Sequence, residues 1–336
     1  MDCKPSDDQD VSETLPQNRV INYRTILLSD IDSENQTFRI TTRSDSEDLL
    51  ISIRRVGLTQ PPLLMTDSAG YTIVCGFRRI DACRSLGWRR VFAGILAKTV
   101  DRFKAAQFSI ADNASQRSLN LVETSRALKL LDKFSPDDQQ RRDAGQALGL
   151  PTNNSVAQQI KKICRLPLAV QEGILANTIN LAMALELGRL DPGCAKELSW
   201  LFKELKLGLN KQRELLFLIK EIAERENTSI PLVIAEKALQ EILKNEEMDR
   251  AVRRQKVRKY LRQRRFPAFS RAESNFRKWV GQLKLGNNID MIPPRNFEGE
   301  TFSMVLRFSN RKELDDLKTK IEQIIQHPAL GKIFDE

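Results

Sequence analysis

Two arginines follow Gly76 almost directly, at the point where an apolar run gives way to a helical pattern. The run at 71–75 is typical of a strand, and Arg78 and Arg79 stand in the first turn of the helix expected from 78 to 86. Gly76 allows close backbone approach, the first N–H groups of the helix lack internal acceptors, and each guanidinium offers forked donors. The segment therefore predicts an anion site, although a surface turn with solvated arginines has the same pattern. Neither of the glycine-rich nucleotide loops, G-x-x-x-x-G-K-S/T or G-x-G-x-x-G, occurs in the chain.

A second polar segment, residues 111–117, separates an amphipathic helix from the expected start of the next one. Asp112 has the carboxylate that can hold Mg²⁺ or position a water molecule. Asn113 can hydrogen-bond a phosphate or a ribose, and Arg117 can neutralise a phosphate. Taken alone, the segment is interpreted as an ordinary polar loop.

Residues 139–165 have the pattern of a helix-turn-helix. The first helix ends at Gly149, a polar turn follows, and the second helix places Val156, Ile160 and Ile163 on one face. Amide and basic side chains on the remaining surface suit base edges and phosphates, although an ordinary helical hairpin would look similar. The candidate DNA contacts are Asn154, Ser155, Gln158, Gln159, Lys161, Lys162 and Arg165.

A strongly basic helical run covers residues 250–265, and after Asp249 the next acidic residue is Glu273. Self-repulsion makes such a run unfavourable unless an anion or an acidic surface lies nearby. The run predicts nonspecific, salt-dependent contact with the DNA backbone, with a solvated helix face as the alternative. The candidate contacts are Arg253, Arg254, Arg258, Arg262 and Arg265.

The elements that must position these residues divide the chain by character and predict an α+β fold. Short strands alternate with helices up to about residue 118, helical periodicity then dominates, and an alternating run at 301–308 precedes a final helix at 311–326. The strand and helix at the C-terminus are too small to fold alone. The predicted segments are a disordered acidic tail (1–18), a small α/β domain (19–118), a helical domain (119–245), a basic helical segment (246–296) and a C-terminal element (297–336).

Composition excludes several classes of protein. Lys and Arg outnumber Asp and Glu by 54 to 44, and the excess is concentrated at 51–100 and 251–300, which predicts polyanion contact at two places. No apolar run approaches the roughly 20 residues of a membrane span, and no signal peptide is recognisable, so a cytoplasmic location is expected. The five cysteines form no CxxC pair, and His327 is the one histidine, which argues against a zinc site or a His-based triad.

The first two of these motifs, together with a segment at 57–61 that precedes them, fall in the order of a known set. Gly57-Leu58-Thr59-Gln60-Pro61, then Gly76-Phe77-Arg78-Arg79, then Asp112-Asn113 to Arg117 with Leu119, Asn120 and Glu123, resemble the three boxes of ParB-type DNA partition proteins. The family patterns are GxxQP, GERRxxA and ENxxR…LNxxE. The resemblance covers roughly residues 20–190. It implies a ParB/sulfiredoxin-like N-terminal fold followed by a helix-turn-helix domain.

The resemblance implies that the N-terminal domain binds CTP with Mg²⁺. The cofactor-binding residues would be Gln60, Gly76, Phe77, Arg78, Arg79, Asp112, Asn113, Gln116 and Arg117. Asp112 and Asn113 would also serve the metal, and Asp112 would be the catalytic residue. The sequence departs from the family at Phe77 and Asp112, which replace glutamates, and at Gln116, which stands where the box expects its arginine. These departures predict CTP binding with slow hydrolysis.

The resemblance further implies a homodimer, held by the C-terminal element, that loads on double-stranded DNA and closes as a CTP-dependent clamp in chromosome or plasmid partition. A nucleoid-associated protein is expected. The acidic tail lacks the basic motif that contacts a ParA-type ATPase, which leaves that partner open. The alternatives are a nucleotide-independent transcriptional regulator and a ParB-like nuclease or kinase, for which Cys75 is the one candidate nucleophile near the arginines.

Overall fold

The computed structural model describes residues 20–43, 47–68 and 70–334 of the 336-residue chain. The chain divides into two compact units, with the boundary between Arg189 and Leu190. The acidic tail predicted at 1–18 lies outside the described residues. Because the boundary falls inside the helical domain predicted for 119–245, the helices of that segment are shared between the two units.

A mixed five-stranded sheet opens the first unit, in the order β1-β5-β3-β4-β2. The strands are β1 (Ile21–Leu27), β2 (Ile31–Asp32), β3 (Leu63–Asp67), β4 (Gly70–Cys75) and β5 (Arg90–Leu96). β1 and β5 are antiparallel, whereas β3 runs parallel to β5. Leu64, Ile73 and Ala93 are fully buried in this part of the core. The strands expected around Gly76 are therefore confirmed, and β4 delivers the chain to that glycine.

Three helices accompany the sheet: α1 (Glu47–Val56), α2 (Phe77–Ser85) and α3 (Arg102–Gln116), with a short 3-10 helix at Leu28–Asp30. α3 packs on β4, and α2 packs on α1. The irregular segment 35–43 is attached to α3, because Ser109 Oγ donates a hydrogen bond of 2.6 Å to the carbonyl of Phe38. This attachment places residues 40–43 opposite the turn at Gly76.

The rest of the first unit is helical and centres on one helix. The elements are α4 (Leu121–Phe134), α5 (Asp138–Ala147), α6 (Asn154–Lys161), a 3-10 helix (Ile163–Arg165), α7 (Leu168–Leu175) and α8 (Leu181–Leu187). α4 packs against α3, α5, α6 and α7. Asn120 caps α4 with Glu123 in a capping box, and Asp137 and Asn153 cap α5 and α6 through their side chains. The helices of the predicted helix-turn-helix are therefore present.

The second unit contains further helices and a small sheet. Its elements are α9 (Pro192–Leu205), α10 (Leu209–Arg225), α11 (Ile230–Ala235), α12 (Lys237–Lys244), α13 (Arg250–Arg265), α14 (Pro267–Gln282), β6 (Ile289–Ile292), a 3-10 helix (Arg295–Phe297), β7 (Ser303–Leu306), α15 (Arg311–Gln326) and α16 (Pro328–Phe334). The prediction of helix throughout 246–296 is wrong for 289–292. These four residues form a strand because they pair with β7, a partner that lies beyond the predicted segment.

The C-terminal element is larger than the predicted strand and helix. β6 and β7 form an antiparallel hairpin, and a core with Leu285, Ile289, Leu317, Ile324 and Ile333 joins this hairpin to α15 and α16, with side chains of α14 packed against it. The α+β fold class is confirmed. Within the described part of the chain, no helix is long and apolar enough to cross a membrane.

Candidate nucleotide and nucleic-acid sites

The three sequence boxes meet at one cleft of about 200 Å³ in the first unit, here called the Gly76 cleft. Every residue that the resemblance assigned to the cofactor lines it: Gln60, Gly76, Phe77, Arg78, Arg79, Asp112, Asn113, Gln116 and Arg117. Sequence reasoning missed one wall, which consists of Ile40, Thr41 and Arg43. No local motif marks these residues, because only the attachment of 35–43 to α3 brings them to the cleft.

Gly76 is required by the geometry of the turn. Its φ of +88° lies in the left-handed region, and a Cβ at this position would stand 2.9 Å from Nε of Arg79. Gly76 is the N-cap of α2 and brings no capping side chain, a position that a ligand can take instead. The strand–glycine–helix segment thus forms an electropositive turn of the kind that binds phosphate.

Arg79 connects all three boxes. Its guanidinium donates from Nη1 to the carbonyls of Gln60 at 2.9 Å and Pro61 at 3.1 Å, and from Nη2 to Oδ2 of Asp112 at 3.3 Å. The side chain is only 14% exposed, so it is held in place before any ligand arrives. The arginine therefore presents a fixed positive charge at the floor of the cleft.

The interpretation of residues 111–117 as a loop is wrong, because α3 continues to Gln116. Asp112 and Gln116 are four residues apart and share a face of this helix, which points to the cleft. Asn113 donates from Nδ2 to the carbonyl of Ser109 at 2.9 Å, which turns its Oδ1 away from that bond. The Asp112 carboxylate and the Asn113 amide oxygen thus both belong to the lining of the cleft.

This pair of oxygens fits Mg²⁺ in the way that nucleotide sites use it. Mg²⁺ is commonly held by one or two protein carboxylates, with phosphates and water completing its shell. The described residues contain no cluster of three or more His, Cys, Asp or Glu side chains that could form a complete metal cage. Asp112 and Asn113 suit a metal that enters together with a polyphosphate.

Phe77 and Cys75 differ from the expected roles. The Phe77 side chain is buried, with the Arg39 guanidinium 5.6 Å from its ring centre, so Phe77 can offer a ligand only its backbone N–H. Burial, reinforced by the negative charge of Asp112, raises the pKa of the Cys75 thiol far above its ordinary value despite the nearby Arg79. A buried thiol with a raised pKa is a poor nucleophile.

Arg117 lies at the rim of the Gly76 cleft and is held by a buried acid. Nη1 and Nη2 donate to the two carboxylate oxygens of Glu123 at 2.7 and 2.6 Å. Glu123 is fully buried and also accepts hydrogen bonds from Thr42 and from the backbone of Asn120. Burial by itself would raise the pKa of Glu123, but these donors lower it to about 2. The network fixes Arg117 and the wall at residue 42 to the first turn of α4.

The two helices of the predicted helix-turn-helix are attached to α4 through Asp132. Its carboxylate pairs with Lys161 Nζ of α6 at 2.7 Å and with Arg141 Nε of α5 at 3.4 Å. Lys161 therefore forms an ion pair within the unit, whereas the sequence suggested a lysine that is free to bind phosphate. Val156 was also misplaced: it is 41% exposed, and Ala157 takes its position in the core. Ile160 and Ile163 lie in the core as predicted, and the cap of the helix is Asn153 and not Ser155.

The remaining candidates in this segment face outward. Ser155, Gln158, Gln159, Lys162 and Arg165 are all exposed. Asn154 begins α6, but its side chain lies outside the described set. The exposed groups form a polar surface with two positive charges, which is compatible with the predicted DNA contact.

Four of the nine basic residues of α13 pair with acidic residues of their own unit. Arg253 pairs with Glu204, Arg258 with Glu214 and Arg265 with Glu221, at 3.1, 2.6 and 2.6 Å. Arg264 pairs with Glu226 and Glu236. The acidic surface that the run requires is thus supplied by α9, α10 and the residues that follow α10 and α11. Of the five predicted contacts, Arg253 and Arg265 are half-buried and paired, Arg258 is paired but exposed, Arg262 is exposed and Arg254 is half-buried.

Comparison with known proteins finds similarity between the first unit and one protein family. Residues 9–114 match the model of the ParB N-terminal domain. The chromosome-partitioning protein ParB of Myxococcus xanthus is 30% identical over 95 residues, which are 28% of this chain and 31% of that protein. The chromosome-partitioning protein Spo0J of Thermus thermophilus is 28% identical over 160 residues, which are 47% of this chain and 55% of that protein. The matches therefore span less than two thirds of these relatives.

Two solved structures of the C-terminally truncated chromosome-partitioning protein ParB from Caulobacter crescentus also match. One is complexed with CTP-γ-S, with 23% identity and a TM-score of 0.25 over 54% of this chain and 98% of that chain. The other is complexed to the centromeric parS site, with 21% identity and a TM-score of 0.32 over 57% of this chain and 97% of that chain. The family domain and the named relatives confirm the resemblance that the three boxes indicated.

Proposed function

We propose that this chain is a ParB-type protein, that it binds CTP with Mg²⁺ in the Gly76 cleft and that it loads on double-stranded DNA through residues 139–165. The observation that carries the proposal is the convergence of three sequence-distant boxes on one cleft that contains a helix N-terminus without a capping side chain and a fixed arginine. A polyphosphate is the ligand that such an arrangement serves best.

The two sides of the cleft would bind different parts of the ligand, one the phosphates and the other the metal ion. Arg79 and the N–H groups at the start of α2 would bind phosphate oxygens, with Arg78 adding charge at the same turn. Asp112 and Asn113 would hold Mg²⁺, which neutralises phosphate charge when it is bound. Asp112 is already paired with Arg79. Because this pairing directs its carboxylate to the floor of the cleft, activation of water is inefficient, and we infer binding with slow hydrolysis.

Titration of the full chain with CTP, ATP, GTP and UTP in the presence of Mg²⁺ tests this site by calorimetry. CTP should bind at least about tenfold more tightly than the other three, a difference of about 1.4 kcal/mol. Equal affinities, or no heat with CTP, would contradict the proposal. A DNA affinity that does not respond to bound CTP would instead support the nucleotide-independent regulator.

In the helix-turn-helix, we propose that Gln158 contacts base edges and that Lys162 and Arg165 contact phosphates. All three side chains are exposed, in contrast to Lys161, whose charge is occupied by Asp132. Amide side chains discriminate bases by paired donors and acceptors, whereas Lys and Arg on phosphates hold every sequence alike.

Substitution of these residues separates the two roles. In a selection from random duplexes, Gln158→Ala should reduce the preference for the contacted base over the other bases by about tenfold. A factor of this size lies within the 1–3 kcal/mol that a base contact contributes. Arg165→Ala should weaken binding to all duplexes and reduce its dependence on salt. Gln282→Ala, which removes an exposed amide from α14, is the matched control and should leave both properties unchanged. If Gln158→Ala and Gln282→Ala select the same sequences, α6 does not recognise the DNA site.

We further propose that the C-terminal hairpin and helices hold a homodimer, and that CTP closes the N-terminal domains of the dimer on DNA. The exposed apolar side chains Ile292, Phe308 and Ile325 support an interface there, with 48, 52 and 63% exposure. Arg262 and Arg254 would contribute nonspecific DNA contact from α13. Such a clamp would serve chromosome or plasmid partition at the nucleoid. Whether a ParA-type ATPase is a partner stays an open question.

A further inference from the structure

A second cleft of about 310 Å³ lies on the outer side of α4 and is lined by positive charges. The charged residues in its wall are Arg39, Arg126, Lys129 and Lys133, and the wall contains no carboxylate. Sequence analysis assigned no function to any of them. We call this cleft the α4 cleft. It shares no charged residue with the Gly76 cleft.

The three cations on α4 have no acidic partner among the residues that the structure describes. Arg126 donates from Nη1 to the carbonyls of Ile40 and Thr41, at 3.4 and 2.9 Å, and so keeps its full charge. Lys133 lies 5.1 Å from the ring centre of Phe134, and Lys129 is exposed. Arg39 is paired only weakly, at 3.7 Å from Asp81. The cleft therefore concentrates positive charge that the fold leaves uncompensated.

Spacing along the helix arranges these charges in a row. Residues 126, 129 and 133 are separated by three and four positions, which places them on one face. The row spans about 10 Å at 1.5 Å per residue, close to the rise of about three base pairs. A row of this length suits successive phosphates of one strand better than it suits a single small anion.

The α4 cleft borders the end of the helix-turn-helix. Cys164 lines it directly after α6, and its backbone N–H donates to Oγ of Ser125 on α4 at 3.0 Å. Asp132 of the same helix holds α5 and α6 through Arg141 and Lys161. The row of cations therefore has a fixed position relative to the polar surface of α6.

We propose that the α4 cleft binds the phosphodiester backbone of the duplex whose bases α6 contacts. The inference rests on the proposed function of residues 139–165. It makes α4 a DNA-contacting helix, with Lys129 and Lys133 as sequence-independent ligands. Arg126 both holds the wall at residues 40 and 41 and faces the same phosphates.

The double variant Lys129→Ala/Lys133→Ala of the full chain tests this site. Binding to a short duplex of mixed sequence is followed by fluorescence anisotropy over a range of salt concentrations. Each lost phosphate contact should reduce the slope of log K against log salt by about 0.9, so the expected change is about 1.8. The control, Lys196→Ala/Lys203→Ala, removes the same charge from exposed positions of α9 and should keep the wild-type slope. Circular dichroism establishes that both variants are folded.

The outcomes separate the two proposals. If wild-type protein fails to bind the duplex, the proposed DNA function falls. If wild-type protein binds but the Lys129/Lys133 variant has the slope of the control, the α4 cleft is not a DNA site. Calorimetry with CTP on the same variants tests whether the α4 cleft binds a nucleotide instead. If the wild type has a second CTP site that the Lys129/Lys133 variant lacks, and DNA binding is unchanged, the inference is overturned in favour of a nucleotide.

Discussion

Arg79→Ala is expected to weaken CTP binding by about 100-fold. A hydrogen bond to a charged group contributes roughly 1.5–3 kcal/mol, and 1.4 kcal/mol corresponds to a factor of ten in affinity. The loss lies at the upper end because Arg79 also neutralises Asp112. Without the guanidinium, the carboxylate of Asp112 faces the incoming phosphates with an uncompensated negative charge.

Arg55→Ala is the matched control, since it removes an exposed guanidinium from α1 outside the wall of the Gly76 cleft. Its CTP affinity by calorimetry should equal that of the wild type. Arg79→Lys separates charge from geometry. A lysine preserves the charge but cannot bridge Gln60, Pro61 and Asp112 together, so partial recovery is expected. CTP affinity of Arg79→Ala within about threefold of the wild type would remove Arg79 from the site.

The sequence predicted the turn at Gly76, because the form of that turn depends on local signals. A strand, a glycine and a helix start define the turn at Gly76, and each is visible within a few residues. The wall at 40–43 could not be predicted, because it depends on hydrogen bonds that Ser109 and Arg126 donate to distant residues and that Glu123 accepts from one. Long-range pairing of this kind leaves no periodic pattern.

The distribution of charge along the sequence also fails to show which basic residues have acidic partners in the fold. The run on α13 is conspicuous in the sequence, yet Glu204, Glu214 and Glu221 neutralise three of its predicted contacts. The row on α4 lies in a nearly neutral part of the sequence, yet its cations have no acidic partner in the described structure. Counts along the chain cannot detect this difference, because the partners are separated by more than 40 positions.

Glu123→Ala is expected to produce the largest loss of stability, about 4 kcal/mol in the first unit. Removing one partner of a buried ion pair typically costs 3–5 kcal/mol, because the other charge stays buried without compensation. Here Arg117 loses both of its carboxylate contacts, and the N–H groups of Thr42 and Asn120 lose their acceptor. Urea unfolding gives the change, and hydrogen exchange of the Thr42 amide localises it to this network.

The same carboxylate should make stability depend on pH in a defined window. The folded-state pKa of Glu123 is lowered from 4.5 to about 2, so the stabilising charge is fully present above the unfolded value and is lost as the pH falls from 4.5 towards 2. A shift of this size corresponds to about 3 kcal/mol. Glu123→Gln retains an acceptor oxygen, so it should be destabilised less than Glu123→Ala and should lack this component between pH 4.5 and 2. Glu172→Gln, an exposed change on α7, should keep the wild-type profile. If Glu123→Gln and Glu172→Gln lose stability in parallel on acidification, Glu123 is not the group that titrates.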